Sequence, residues 1–238
     1  MKYFLLDANV VAGYYLPRSL TSKKARENIR LIFNYVRAKP DEFFLYMPNF
    51  CVAEVFSVFM KHSFGTWNQQ VREGTIDTRV YTSLVKQFQK DIHNGHFIYH
   101  YELSRYHILG INLVAPIDHY YKISRRRKQI VPMGTFDHLL ISMGIHLAYI
   151  HGRDNVCIIS TDSRLTDILM KCKSHIPLSV VEKLKLKIAH ELTGRFFGPK
   201  IFPKHLNLKE ATKKHFLRVF DEWPLPEHRP RGVYRWTE

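Results

Sequence analysis

Four acidic residues stand at positions from which a hydrolytic metal centre can be built. Asp7 ends the apolar run at residues 3–6, and Asp162 follows the apolar run at 156–160. Glu54 lies among Phe50, Cys51, Val52, Ala53, Val55 and Phe56, and Asp137 falls in the first turn of a long apolar stretch. A carboxylate placed like Glu54 carries a desolvation cost unless cations or a metal compensate it. Each acid also has a plainer reading. Asp7 and Asp162 suit helix caps, Glu54 suits pairing with a buried Arg or Lys, and Asp137 gains up to about 1 kcal/mol from a helix dipole. As a set, two acids follow strands and two ride helices of one sheet. Such a group repels itself and calls for cations. All-oxygen donors select Mg²⁺ or Mn²⁺ over zinc, and a pair of such ions suits phosphodiester hydrolysis, activating water and stabilising the leaving oxygen.

The elements that must hold these acids alternate between strand and helix. Short apolar runs at 3–6, 43–46, 98–100 and 156–160 read as strands. Helical spacing of Ala25, Ile29, Ile32, Phe33 and Val36 marks 22–37, and Pro48 opens a helix to about Lys61. Further helices are expected at 78–93, 103–109, 135–150 with Thr135 as N-cap, and 164–171, and a short strand, or the end of an element, at 112–116. The Lys-rich stretch 178–192 reads either as helix or, at Val180 and Val181, as a strand end. This order predicts an α/β fold, a three-layer α/β/α sandwich with a mostly parallel central sheet. In open sheets of that kind ligands bind beyond the carboxyl ends of the strands, where Asp7 and Asp162 stand. Composition changes at Gly194, since five of the eleven prolines fall between Pro199 and Pro230 among aromatic and basic residues. The expected layout is a main domain at 1–193, with a helical insertion at about 65–130, and a Pro-rich basic extension at 194–238.

The charge balance narrows the partners. Against 21 Asp+Glu the chain sets 36 Lys+Arg, a formal net charge of +15, which favours polyanions through counterion release. Hydrophobic residues at 45% and charged residues at 24% exclude disorder as the default for the whole chain. Cys51, Cys157 and Cys172 form neither a disulfide framework nor a zinc pattern. Cys51 and Cys157 read as core residues, and a reducing cytoplasm is the expected compartment. Asp7 and Asn9 interrupt the apolar N-terminus, and no run reaches the ~18 apolar residues of a membrane span. A protein apart from the membrane follows.

The four acids sit in segments that resemble the motifs of PIN-domain nucleases, a family that includes toxin-like ribonucleases. Leu5-Leu6-Asp7-Ala8-Asn9-Val10-Val11 is similar to the first motif, and Pro48-Asn49-Phe50-Cys51-Val52-Ala53-Glu54-Val55 to the second. Phe136-Asp137-His138-Leu139-Leu140-Ile141-Ser142-Met143-Gly144 resembles the third, and Ile159-Ser160-Thr161-Asp162-Ser163-Arg164-Leu165 the fourth. Their order covers roughly residues 1–175. The resemblance implies a PIN-like sandwich, Mg²⁺ or Mn²⁺ dependence, and endonucleolytic cleavage of RNA. It implies Asp7, Glu54, Asp137 and Asp162 as catalytic metal ligands, with Glu54 alternatively orienting the attacking water. It also implies a small antitoxin-like protein and a homodimer as partners.

Supporting groups follow from position. Asn9 and Thr161 are expected to hold carboxylates by hydrogen bonds. Arg125, Arg126, Arg127 and Lys128 precede the Asp137 helix and can grip phosphates or form a solvated loop. Tyr120 and Tyr121 can stack on bases, though tyrosine pairs more often pack. The fourteen histidines show no His-Glu-x-x-His pattern and read mostly as surface or core residues. Two other functions compete. One is a catalytically weak module that binds RNA or a partner on the same scaffold. The other is a phosphohydrolase with an aspartyl nucleophile, which the sequence Asp7-Ala8-Asn9 disfavours because such enzymes often carry Asp-x-Asp.

Overall fold

A computed structural model describes residues 1–17, 20–64, 76–93, 97–124, 133–174 and 202–221. The chain opens with strand β1 (Lys2–Leu6), helix α1 (Ala8–Tyr15) and helix α2 (Lys23–Ala38). Next come β2 (Phe43–Pro48), α3 (Asn49–Ser63), α4 (Thr78–His93), β3 (Ile98–Tyr101) and α5 (Arg105–Ser124). The remainder is α6 (Thr135–His151), β4 (Val156–Ser160), α7 (Ser163–Ser174), β5 (Lys204–Asn207) and α8 (Lys213–Phe220).

The five strands form one parallel sheet in the order β3-β2-β1-β4-β5. Alternation along the strands sorts its two faces. Phe4, Leu45 and Ile98 face one layer, where Phe4 and Phe43 meet Phe220 of α8. Tyr3, Tyr46 and Tyr101 face the other, and the Tyr3 ring stacks on His151 at the end of α6. Helix α1 packs on α2, α3 and β4, α2 and α3 pack on β2, and α4 packs on α3 and β3, while α5 packs on α6 and α7, α6 on β4, and α7 on β4 and β5. The result is the three-layer α/β/α sandwich expected from the alternation of elements. Phe4, Phe33, Phe59, Phe88 and Phe216 are fully buried within it, each contributing roughly 1.5–3 kcal/mol of transfer free energy.

Three local expectations need correction. Residues 112–116 are not a strand but the middle of α5, which runs on through Pro116 to Ser124. His107, Val114 and Asp118 are buried along this helix, and its packing on α6 overrides the β propensity of the short run. A Cβ at Gly110 would collide with Ser142 Oγ of α6, so the two helices approach as closely as glycine permits. The N-cap of α6 is Gly134 rather than Thr135. Lastly, the compositional change at Gly194 does not mark the end of the sheet. β5 pairs with β4, and Phe216, Val219 and Phe220 enter the core. The basic run Arg125, Arg126, Arg127 and Lys128 and the stretch 178–192 lie outside the described residues. Tyr120, Tyr121 and Cys172 fall where only the backbone is described. Among the described residues no helix is long and apolar enough to cross a membrane.

Candidate functional site

The strand order places a topological switch between β1 and β4. From β1 the chain builds outward through β2 and β3, then returns to add β4 on the other side of β1. Neighbouring strands whose connections depart in opposite directions leave a crevice at their carboxyl ends. Asp7 follows β1 directly, and Asp162 stands two residues beyond β4.

One hydroxyl ties the two exits together. Ser160 Oγ donates to Asp7 Oδ2 at 2.6 Å and accepts from the Asp162 backbone N–H at 2.9 Å. Asp7 is also the N-cap of α1, taking the Asn9 backbone N–H on Oδ1 at 3.4 Å. The carboxylate is thus held at Oδ1 through the Asn9 backbone and at Oδ2 through the Ser160 hydroxyl. The bond expected from Thr161 comes instead from Ser160, one residue earlier. Thr161 itself is buried beside it.

The other two acids arrive on helices whose first turns point to this edge. Glu54 is half-buried on α3, with the buried Cys51 one turn back on the same helix. Asp137 occupies the third position of α6, and its Oδ2 accepts the Gly134 backbone N–H at 3.2 Å. Gly144 lets α6 lie close to the sheet, because a Cβ there would stand 2.6 Å from Ile158 Cδ1. A larger residue at 144 would shift the helix that carries Asp137.

Electrostatics divide the four. Burial raises the carboxyl of Asp7, which also feels Asp137. Burial again raises Glu54, with Asp7 and Asp137 adding repulsion. Asp137 is raised by burial and by Asp162. Each of these acids thus sits in the field of at least one other. Asp162 departs from the pattern. Burial opposes its charge, yet Arg164 holds the carboxyl below its usual range. The Arg164 backbone N–H donates to Oδ1 at 2.8 Å and its guanidinium to Oδ2 at 3.0 Å. Asp162 therefore fulfils its plainer role as a cap in addition to any other. Among the described residues, Asp7, Glu54 and Asp137 make no ion pair.

The four donors are all carboxylate oxygens, and only Asp162 is in an ion pair, with Arg164; oxygen donors of this kind suit a hard divalent cation. The acids share a field, but among the described residues no three His, Cys, Asp or Glu side chains form a group that could hold a metal ion. Two features near the site escaped sequence reasoning. Asp118 of α5 is buried, and its Oδ2 accepts the Met133 backbone N–H at 2.9 Å and meets His138 Nε2 at 3.0 Å. This contact fastens the start of α6, and so Asp137, to α5. The signal was the helical spacing of His107, Val114 and Asp118, hidden by reading 112–116 as strand. The second is an aromatic pair, Phe50 and Phe136, stacked between the first turns of α3 and α6. No protein family, curated protein or solved structure matches the chain.

Proposed function

We propose that the chain is a Mg²⁺- or Mn²⁺-dependent endoribonuclease of PIN-like design, hydrolysing RNA phosphodiester bonds at the Asp7, Glu54, Asp137 and Asp162 edge. The observation that carries this reading is the trio Asp7, Glu54 and Asp137. These are mutually repelling carboxylates at a topological switch point, kept without the ion pairs that would make them merely structural. A divalent cation bound there would polarise the phosphate and lower the pKa of a bound water. Asp7 and Asp137 are the acids best placed to hold it, with Asp162 joining as Arg164 turns to the phosphate. Glu54, raised above an ordinary carboxyl, has the greater proton affinity that suits a base toward the attacking water. Ser160 and Asn9 orient Asp7 through their hydrogen bonds. The net charge of +15 draws the polyanion to the protein.

One observation favours a second reading, a module that binds RNA with little turnover. The bidentate hold of Arg164 on Asp162 removes one acid from the donor set. The two readings separate in one experiment. A mixed panel of RNAs is incubated with Mn²⁺ or Mg²⁺ and the native chain, Asp7→Asn or Asp137→Asn. The nuclease reading expects cleavage by the native chain and its loss in both variants. Equal cleavage by all three would overturn the carboxylate site, and RNA binding without cleavage by the native chain would select the binding module.

A further inference from the structure

Phe50 and Phe136 are the second residues of α3 and α6, and their rings lie 5.2 Å apart at an interplanar angle of 13°. The two residues have different surroundings. Phe50 is partly buried and packs against the main core, whereas Phe136 is 50% exposed. The pair therefore has an anchored inner ring and an outer ring with a face toward solvent. Its location ties it to the acids. Phe50 and Glu54 are four residues apart on one face of α3, and Asp137 follows Phe136 directly. Glu54 and Asp137 feel each other's charge across the same gap between helices.

We propose that Phe136, backed by Phe50, is the seat on which a nucleobase stacks beside the phosphate held at the carboxylate edge. This inference rests on the nuclease reading for its substrate and deepens it by assigning a residue that positions the chain. Three properties of the pair suit the role. A phenyl ring offers a π face and no hydrogen-bonding group, so it accepts every base and reads none. Its orientation is already fixed by Phe50, which lowers the ordering cost of stacking. A base in a duplex has both faces covered by neighbours, so the seat takes only a base that is unpaired or swung out. The acids need cations to tolerate a phosphate, while the ring needs none. Base stacking and phosphate binding at this edge are consequently separable by experiment.

The test measures binding apart from cleavage. A fluorescently labelled single-stranded RNA 12-mer, alone or annealed to its complement, is titrated with the full chain in EDTA and followed by anisotropy. The native chain is compared with Phe136→Leu, which keeps an apolar contact with Phe50, and with Phe136→Trp, which keeps the π face. Phe136→Leu is expected to weaken single-strand binding roughly ten- to hundredfold, to leave duplex binding unchanged, and to melt at the native temperature. Phe136→Trp is expected to restore the native affinity. Equal single-strand affinity for the native chain and Phe136→Leu would overturn the proposal, as would equal weakening for single strand and duplex, or failure of tryptophan to rescue. Cleavage with Mn²⁺ is scored separately. A native chain that cleaves but binds single strands no better than Phe136→Leu sinks only this inference, and a native chain that shows the Phe136-dependent binding but never cleaves sinks only the nuclease reading.

Discussion

Two polar clusters sit inside this protein, and they solve burial in opposite ways. At the end of β3, Tyr101, His107 of α5 and His146 of α6 bond to one another at 3.0 to 3.2 Å. The Ser104 backbone N–H donates to His107 Nδ1 at 2.9 Å, which fixes the ring proton of the neutral imidazole on Nε2. That proton then serves His146 or Tyr101, and the Ser142 hydroxyl closes on the His107 carbonyl at 2.6 Å. Every group there finds a neutral partner within the cluster. Asp7 and Asp137 also accept neutral hydrogen bonds, but Asp7, Glu54 and Asp137 each have a like charge for a neighbour and no ion pair among the described residues. A self-sufficient cluster joins the sheet to two helices. One that repels itself is relieved by a bound cation, which is why the proposed function rests on the acids and not on the histidines.

The largest effect expected from this contrast is a loss of activity joined to a gain of stability. Asp7→Asn keeps an acceptor for Ser160 while removing the buried charge. Cleavage should fall by roughly a hundredfold or more, and the metal-free melting temperature at pH 7 should rise. A melting temperature that falls would show that the charge at position 7 stabilises the fold. The opposite substitution is His107→Ala, which strips a buried donor and acceptor and should cost about 2–4 kcal/mol by thermal or urea unfolding. Its cleavage rate at low temperature should stay native.

The two clusters should also answer pH in opposite directions. Burial and the neighbouring His146 push His107 down to about 4 from an ordinary 6.5. The unfolded chain takes up that proton first, so this contribution is complete above pH 6.5 and declines as pH falls from 6.5 toward 4. The acids Asp7, Glu54 and Asp137 are raised above 3.8, 4.5 and 3.8. The folded metal-free chain binds those protons more tightly than the unfolded one. Their cost is absent below the ordinary values and grows as pH rises through the folded ones. Urea unfolding from pH 4 to 8 should show His107→Phe losing the acid-side decline and Asp7→Asn flattening the rise in cost. Parallel profiles for the two variants would break the comparison.

A smaller effect is expected at the exposed Arg164. Its pair with Asp162 is worth about 0.2–1 kcal/mol after solvent screening, and Asp162 contributes stability above its ordinary carboxyl range that is lost as pH falls through its lowered value. Arg164→Gln should therefore lower the melting temperature by only a few degrees at most, roughly. Under the proposed function it should impair cleavage more than stability, and a large stability loss with native cleavage would place Arg164 in the scaffold alone.

The sequence by itself determined much of the frame. Apolar runs and helical spacing are local properties, so β1, β2, β4, α2, α3 and α4 were all legible, and with them the α/β class. The positions of Asp7 and Asp162 after strands were legible for the same reason. Tertiary structure decided the rest. Whether 112–116 forms strand or helix depended on the close approach of Gly110 to Ser142, which local propensity does not contain. β5 joins the sheet from a segment set apart by composition, because parallel pairing links residues distant in sequence. Within the acid quartet, the local role that sequence offered Asp137 is present, since it sits in the first turn of α6 and accepts the Gly134 N–H. The fold adds a counterion for Asp162, because Arg164 gives it both a backbone N–H and a guanidinium. Desolvation and mutual charge depend on how the elements pack, and that packing raises Asp7, Glu54 and Asp137 while Arg164 lowers Asp162.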